Sequence, residues 1–131
     1  MTIPHDILLT MALGIPAMLL HELGHIAVAL LCGVKVKKVG LSRVGLYTVR
    51  EAGPRWANLG ISLAGPLFNL LLAVALRDLL PTFAFVNLIA FLFNLLPIPH
   101  SDGRRIVALL GEHGAITGAG TRPEHLPGTP V

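Results

Sequence analysis

The tightest constraint on this chain is a short polar motif inside an apolar segment. His21-Glu22-Leu23-Gly24-His25 reads H-E-x-x-H and lies within the run Ile7–Cys32. That run is 26 residues long, interrupted only by Thr10 and the histidine–glutamate group. As a helix rising about 1.5 Å per residue, it reaches across hydrocarbon about 30 Å thick. Ionisable side chains are costly at that depth unless they line a functional cavity. The rest of the fold is therefore expected to build a cavity around these three residues. Histidines four apart share one helix face, and a glutamate beside them suits a metal site with an adjacent general base.

Composition agrees with a lipid setting. The chain of 131 residues is 53% hydrophobic and 13% charged, with mean hydropathy +0.74. Ordinary soluble domains carry about 25% charged residues, so the class is an integral membrane protein of one compact unit. The net charge of +3 matters less than its placement, because Lys35, Lys37, Lys38, Arg43, Arg50 and Arg55 all follow the first apolar run. Basic connections beside membrane spans mark the cytoplasmic side and touch anionic lipid, so no nucleic-acid partner is expected. Cys32 is the lone cysteine, which excludes an intramolecular disulfide and a thiolate cluster. Met1–Asp6 has no basic region of the kind that begins a cleavable signal.

On the first helix, Gly14, Ala17, His21, His25, Ala29 and Cys32 fall on one side, and Leu19, Leu23, Ile26 and Leu30 on the other. Small residues let helices approach, so the histidines should face neighbouring helices. Residues 34–50 alternate valines with lysines and then Val44, Leu46 and Thr48 with Gly45, Tyr47 and Val49, which predicts a surface β-hairpin. A second span is expected over 57–76, where Asn58, Ser62, Gly65 and Asn69 form one small, polar stripe and Gly60 and Ala64 a small-residue pair. A third is expected over 83–99, with Asn87, Ala90 and Asn94 on one face, ended by Pro97 and Pro99. Pro16 and Pro66 are candidate kinks. Residues 104–110 can resume as a short helix. Residues 1–111 are thus expected to form the core and 112–131 a disordered tail rich in Gly and Pro. The basic connection puts the N-terminus outside, with the C-terminus and the Asp102 side in the cytoplasm.

A hydrolytic zinc site takes three protein ligands and leaves one position open. His21 and His25 supply two. Asp6, Glu51, Asp78 and Asp102 are candidate thirds, with His100 as runner-up to Asp102. Asp102 follows a proline-broken helix end, a geometry that can turn a carboxylate inward. With that set, Glu22 is the non-ligand acid/base. Asn69 and Asn94 lie on inward stripes and are candidates for holding substrate or an oxyanion, with interhelical hydrogen bonding as the competing role.

Three segments in order now resemble the site-2 protease family of intramembrane zinc metalloproteases. They are His21–His25 (HELGH), Ala64–Asn69 (AGPLFN) and Asn94–Gly103 (NLLPIPHSDG). The resemblance spans residues 13–110 and implies an all-α membrane fold, with a three-transmembrane-helix core and a small sheet after the first helix. It implies His21, His25 and Asp102 as ligands of one Zn2+ and Glu22 as catalytic acid/base. It also implies a membrane-protein substrate with a transmembrane segment, aligned by strand addition on the hairpin edge. Ser101-Asp102-Gly103-Arg104-Arg105 departs from the family's L-D-G-G-R, with Arg104 in a glycine's place. The form is expected to be minimal, without a PDZ domain, with gating either simpler or supplied by a partner; a homo-oligomer or a regulatory partner is a candidate. The rivals are a catalytically silent metal-binding membrane adaptor, opposed by intact Glu22, and a soluble zincin, opposed by the three apolar runs.

Overall fold

The computed structural model describes residues 5–42 and 45–118. The chain forms a long helix α1 (His5–Leu31), an antiparallel hairpin of β1 (Val36–Ser42) and β2 (Gly45–Arg50), then α2 (Arg55–Ala75), α3 (Pro81–Leu95) and α4 (Asp102–Gly118). The hairpin pairs Val39 with Thr48 and Gly40 with Tyr47, with an irregularity between Val36 and Lys38. Arg43 and Val44, part of the expected alternation, lie outside the described residues. Helix α2 is the centre of the arrangement and packs against α1, α3 and α4. Both α1 and α2 run unbroken through Pro16 and Pro66.

Side chains are distributed inside-out relative to a water-soluble domain. The buried apolar side chains of the helices are mostly alanine, at Ala17, Ala29, Ala57, Ala73 and Ala84, with Ile61 and Pro66 the larger ones among the described residues. The large aliphatics Ile15, Leu19, Leu23, Leu30, Leu67, Leu71 and Leu92 are exposed. Alanine and glycine at the contacts let backbones come close, while leucine faces a solvent as apolar as itself. This pattern fits lipid around α1 and α2. At 27 and 21 residues, those two are the helices among the described residues long and apolar enough to cross a membrane.

The third apolar run falls short of its expected length. Helix α3 is 15 residues long, about 22 Å at the α-helical rise and less than a hydrocarbon core. It stops because Leu96 precedes Pro97, and the residue before a proline is pushed out of the α region. Leu96 is accordingly extended, at φ −65 and ψ 138. The backbone then turns through residues 96–101. Ser101 closes the turn: its hydroxyl donates to the Leu96 carbonyl at 2.5 Å and accepts the Arg104 N–H at 3.3 Å. That second bond caps α4. Gly103 lies so close to the end of α3 that a Cβ would strike the Leu95 and Leu96 carbonyl oxygens. Serine and glycine together fix Asp102 at the first turn of α4.

Helix α4 outruns the short helix expected over 104–110 and continues to Gly118. Isolated glycines such as Gly111 and Gly114 cost a helix about 1 kcal/mol each and do not by themselves end it. The expected tail boundary at 112 therefore falls inside a helix, and residues 119–131 lie outside the described residues. Arg55, at the start of α2, donates from Nε to the Leu109 carbonyl at 2.8 Å and ties α4 to the core.

Candidate active site

The buried stripe of α1 carries Ala17, His21, Gly24 and His25. His21 Nε2 and His25 Nε2 lie 3.0 Å apart. Asp102 Oδ2, delivered by α4, is 3.0 Å from the first and 3.1 Å from the second. These three atoms form a nearly equilateral triangle made by two helices 77 and 81 residues apart in sequence. All three residues are buried. Burial pushes the Asp102 carboxyl up, but its pairing with the His21 and His25 rings outweighs this and holds it well below the ordinary carboxylate range.

The far nitrogens of both rings are also engaged. His25 Nδ1 lies 2.6 Å from the Ile61 carbonyl oxygen. A carbonyl only accepts, so Nδ1 carries the proton and the lone pair of neutral His25 is at Nε2. Asn69 Nδ2 is 3.1 Å from His21 Nδ1. Helix α2 makes room for the rings at Gly65, where a Cβ would overlap both imidazoles. Gly65 and Asn69 of the A-G-P-L-F-N segment thus both serve the histidines.

Glu22 offers a second carboxylate within 4.8 Å of the imidazole nitrogens. It is partly exposed and accepts a hydrogen bond from Thr48 Oγ1 at 2.7 Å. Asp102 is the closer carboxylate to both rings, and Glu22 is held to one side by the hairpin. A cavity of about 580 Å³ opens beside the group, lined by His21, Glu22, Thr48, Asn94, Asp102 and Arg105, among others. Its far wall is α3 and its rim is basic. Burial lowers the pKa of Arg50, at that rim, and neighbouring Arg105 lowers it further.

Other sequence candidates sit elsewhere or differently. Asp6 and Asp78 are exposed, next to His5 and Arg77. Glu51 faces Lys37 at 3.7 Å. His100 is exposed on the cavity rim with φ 68 and is not in the triangle. Asn94 lines the cavity and donates to the Ala90 carbonyl one turn back at 2.9 Å. Asn87, on the same face, is fully buried and donates to Phe83. Arg104 is exposed, so the departure from the familiar glycine adds no side chain to the site.

The model of Peptidase family M50 matches residues 9–80, more than half of the chain. The chain belongs to peptidase family M50. Among curated relatives, a zinc metalloprotease of Methanocaldococcus jannaschii is 34% identical over 104 residues, covering 70% of this chain and 31% of its own. A Synechocystis protein is 29% identical over 115 residues, covering 76% of this chain and 30% of its own. The chain thus spans about a third of the length of these relatives. The solved site-2 protease of M. jannaschii superposes with a TM-score of 0.68 at 33% identity, over 77% of this chain and 53% of that one. The mostly helical fold with its small sheet is therefore one shared with a site-2 protease.

Three contacts of this M50 chain were hidden in the sequence. The Thr48–Glu22 bond joins two segments whose separation carries no spacing rule. Ile61 serves His25 through its backbone oxygen, which any residue could supply. The space made by Gly65 had a signal, a glycine one turn before Asn69 on the polar stripe, but its target was not readable.

Proposed function

We propose that this chain is the catalytic core of an intramembrane zinc endopeptidase that hydrolyses peptide bonds in or near transmembrane segments of membrane-protein substrates. The observation that carries the proposal is the meeting of His21, His25 and Asp102 beside Glu22 at one cavity. The donor set suits the ion. Zinc–nitrogen and zinc–oxygen bonds of about 2.0–2.1 Å give a tetrahedron edge of about 3.3 Å. The three donor pairs stand at 3.0, 3.0 and 3.1 Å. Two neutral imidazoles and one carboxylate are a familiar hydrolytic set.

We assign His21, His25 and Asp102 as the ligands. A bound zinc supplies Lewis-acid polarisation of a scissile carbonyl and acidifies water at neutral pH. Glu22 takes the proton of the attacking water and returns it to the departing amine, so proton count balances over the cycle. Thr48 restrains the Glu22 carboxylate during that exchange, and Asn94 is the amide placed to hold substrate backbone or the developing oxyanion. The partly open cavity admits the water that hydrolysis consumes. β2 offers an edge on which an unwound substrate segment can lie as an added strand.

In the membrane, α1 and α2 span, and α3 completes a three-helix core with the bilayer thinned or the helix ends extended by irregular backbone. The lysine-rich hairpin sits on the cytoplasmic side with Asp102, and the N-terminus outside. A silent adaptor would have no use for a glutamate restrained beside the ligands. The test is cleavage of a membrane-embedded substrate in liposomes by wild type and Glu22→Gln. Loss of turnover of at least about 10²-fold with zinc retained is expected; unchanged turnover with zinc bound contradicts the proposal.

A further inference from the structure

Asn69 is the polar residue of α2 whose side chain meets an imidazole of the site. It is fully buried in the cavity wall, and among the described residues its Oδ1 has no hydrogen-bond partner. Its Nδ2 faces His21 Nδ1 at 3.1 Å. We propose that Asn69 is a positioning residue that holds His21 in the tautomer whose Nε2 faces the metal. The inference rests on the ligand assignment above and replaces an oxyanion role for this amide.

For His21 to offer its Nε2 lone pair, its proton must sit on Nδ1, and that N–H then needs an acceptor. His25 has one built in, the Ile61 carbonyl, which can only accept. At His21 Nδ1 the partner among the described residues is Asn69. The amide oxygen and nitrogen of asparagine trade places by a half-turn about the Cβ–Cγ bond. In one orientation Nδ2–H donates to a bare Nδ1, which leaves the proton on Nε2 against the Asp102 carboxylate. In the other, Oδ1 accepts from Nδ1–H and Nε2 is free to ligate. The amide therefore matches either tautomer, and metal loading selects the second, in which Oδ1 accepts from Nδ1–H.

A purely structural Asn69 makes the opposite mutational forecast. If it only glues α1 to α2, then Asn69→Leu, apolar and of similar size, should be tolerated better than Asn69→Asp, which buries a charge. If it orients His21, Asp keeps the oxygen acceptor and forms a carboxylate–histidine pair, whereas Leu removes the acceptor. The experiment measures zinc dissociation constants of the detergent-purified full chain by chelator competition, with helicity checked by circular dichroism. Expected are a weakening of about 10- to 100-fold for Asn69→Leu and wild-type or tighter affinity for Asn69→Asp. ¹⁵N spectra of histidine-labelled wild type add a readout that needs no variant: one His21 nitrogen, Nδ1, should be protonated in the zinc-loaded protein. Wild-type zinc affinity in Asn69→Leu, equal losses in Leu and Asp, or a bare Nδ1 in the spectrum overturns the inference. Should His21→Ala bind zinc as well as wild type, the ligand assignment falls and this inference with it. A His21→Ala protein without zinc beside a normal Asn69→Leu protein sinks only the positioning role.

Discussion

Replacing Gly65 with alanine adds one methyl group at the point where α2 faces both imidazoles. The new Cβ would stand 2.7 Å from His21 Cε1 and closer still to His25. Carbon atoms prefer about 3.5–4.0 Å, so rings or helix must give by about 1 Å. Overpacking of this kind costs about 1–3 kcal/mol. The backbone gains up to about 1 kcal/mol, because alanine is the better helix former. The helix gain is present with or without metal, but the clash is relieved most easily by turning the rings out of the donor triangle. Charged against the loaded state alone, about 1–3 kcal/mol weakens zinc binding about 5- to 150-fold. Gly60 provides the control on the same helix, since a Cβ there meets only Val28 Cγ1 at 4.0 Å. Chelator competition on detergent-purified Gly65→Ala and Gly60→Ala, with thermal melts of both metal-free proteins, separates the two effects. Gly65→Ala should lose zinc affinity while its metal-free form melts no lower than a few degrees below wild type, and Gly60→Ala should keep both. Wild-type zinc affinity in Gly65→Ala would refute the packing argument, and so would an equal loss in Gly60→Ala.

Further outcomes follow from the cavity wall. Thr48→Val removes the hydroxyl that donates to Glu22; kcat on a liposome substrate should fall on the order of tenfold, the scale of one hydrogen bond to a charged group, with zinc content unchanged. An unaltered kcat would mean the hairpin does not restrain Glu22. Asn94→Ala should lower kcat by about 10²-fold or more if its amide meets the oxyanion, again with full zinc content; a change confined to stability would return Asn94 to a packing role.

Much of this architecture was legible in the sequence because membrane helices announce themselves by length and hydropathy. The limits expected for the first two spans differ from α1 and α2 by only one or two residues at either end, and the small-residue face of α1 is the buried one. The alternation after Val34 marked the hairpin, whose paired strands are Val36–Ser42 and Gly45–Arg50. The third run misled for a local reason: apolar composition continues through Ile98, but helical geometry ends at Leu95 because Pro97 acts on the residue before it. The extent of α4 was missed because glycine lowers helix propensity without forbidding the helix. Within the site, residue types with spacing rules were readable, and His21, Glu22 and His25 are of that kind. Asp102 could be nominated but not placed, since its approach depends on a capped turn built by Ser101 and Gly103. The Ile61 carbonyl has no sequence signal at all, because hydrogen bonding by the main chain is common to every residue.

Ownership of the third ligand position is what makes α4 part of the metal site. Zinc per chain, measured by mass spectrometry on gel-filtered protein, decides it in Asp102→Ala and His100→Ala beside wild type. One zinc per chain in wild type and His100→Ala, with a sharply lowered content in Asp102→Ala, is the predicted result. Stoichiometric zinc in Asp102→Ala, or its loss in His100→Ala, would contradict a site closed by the first turn of α4.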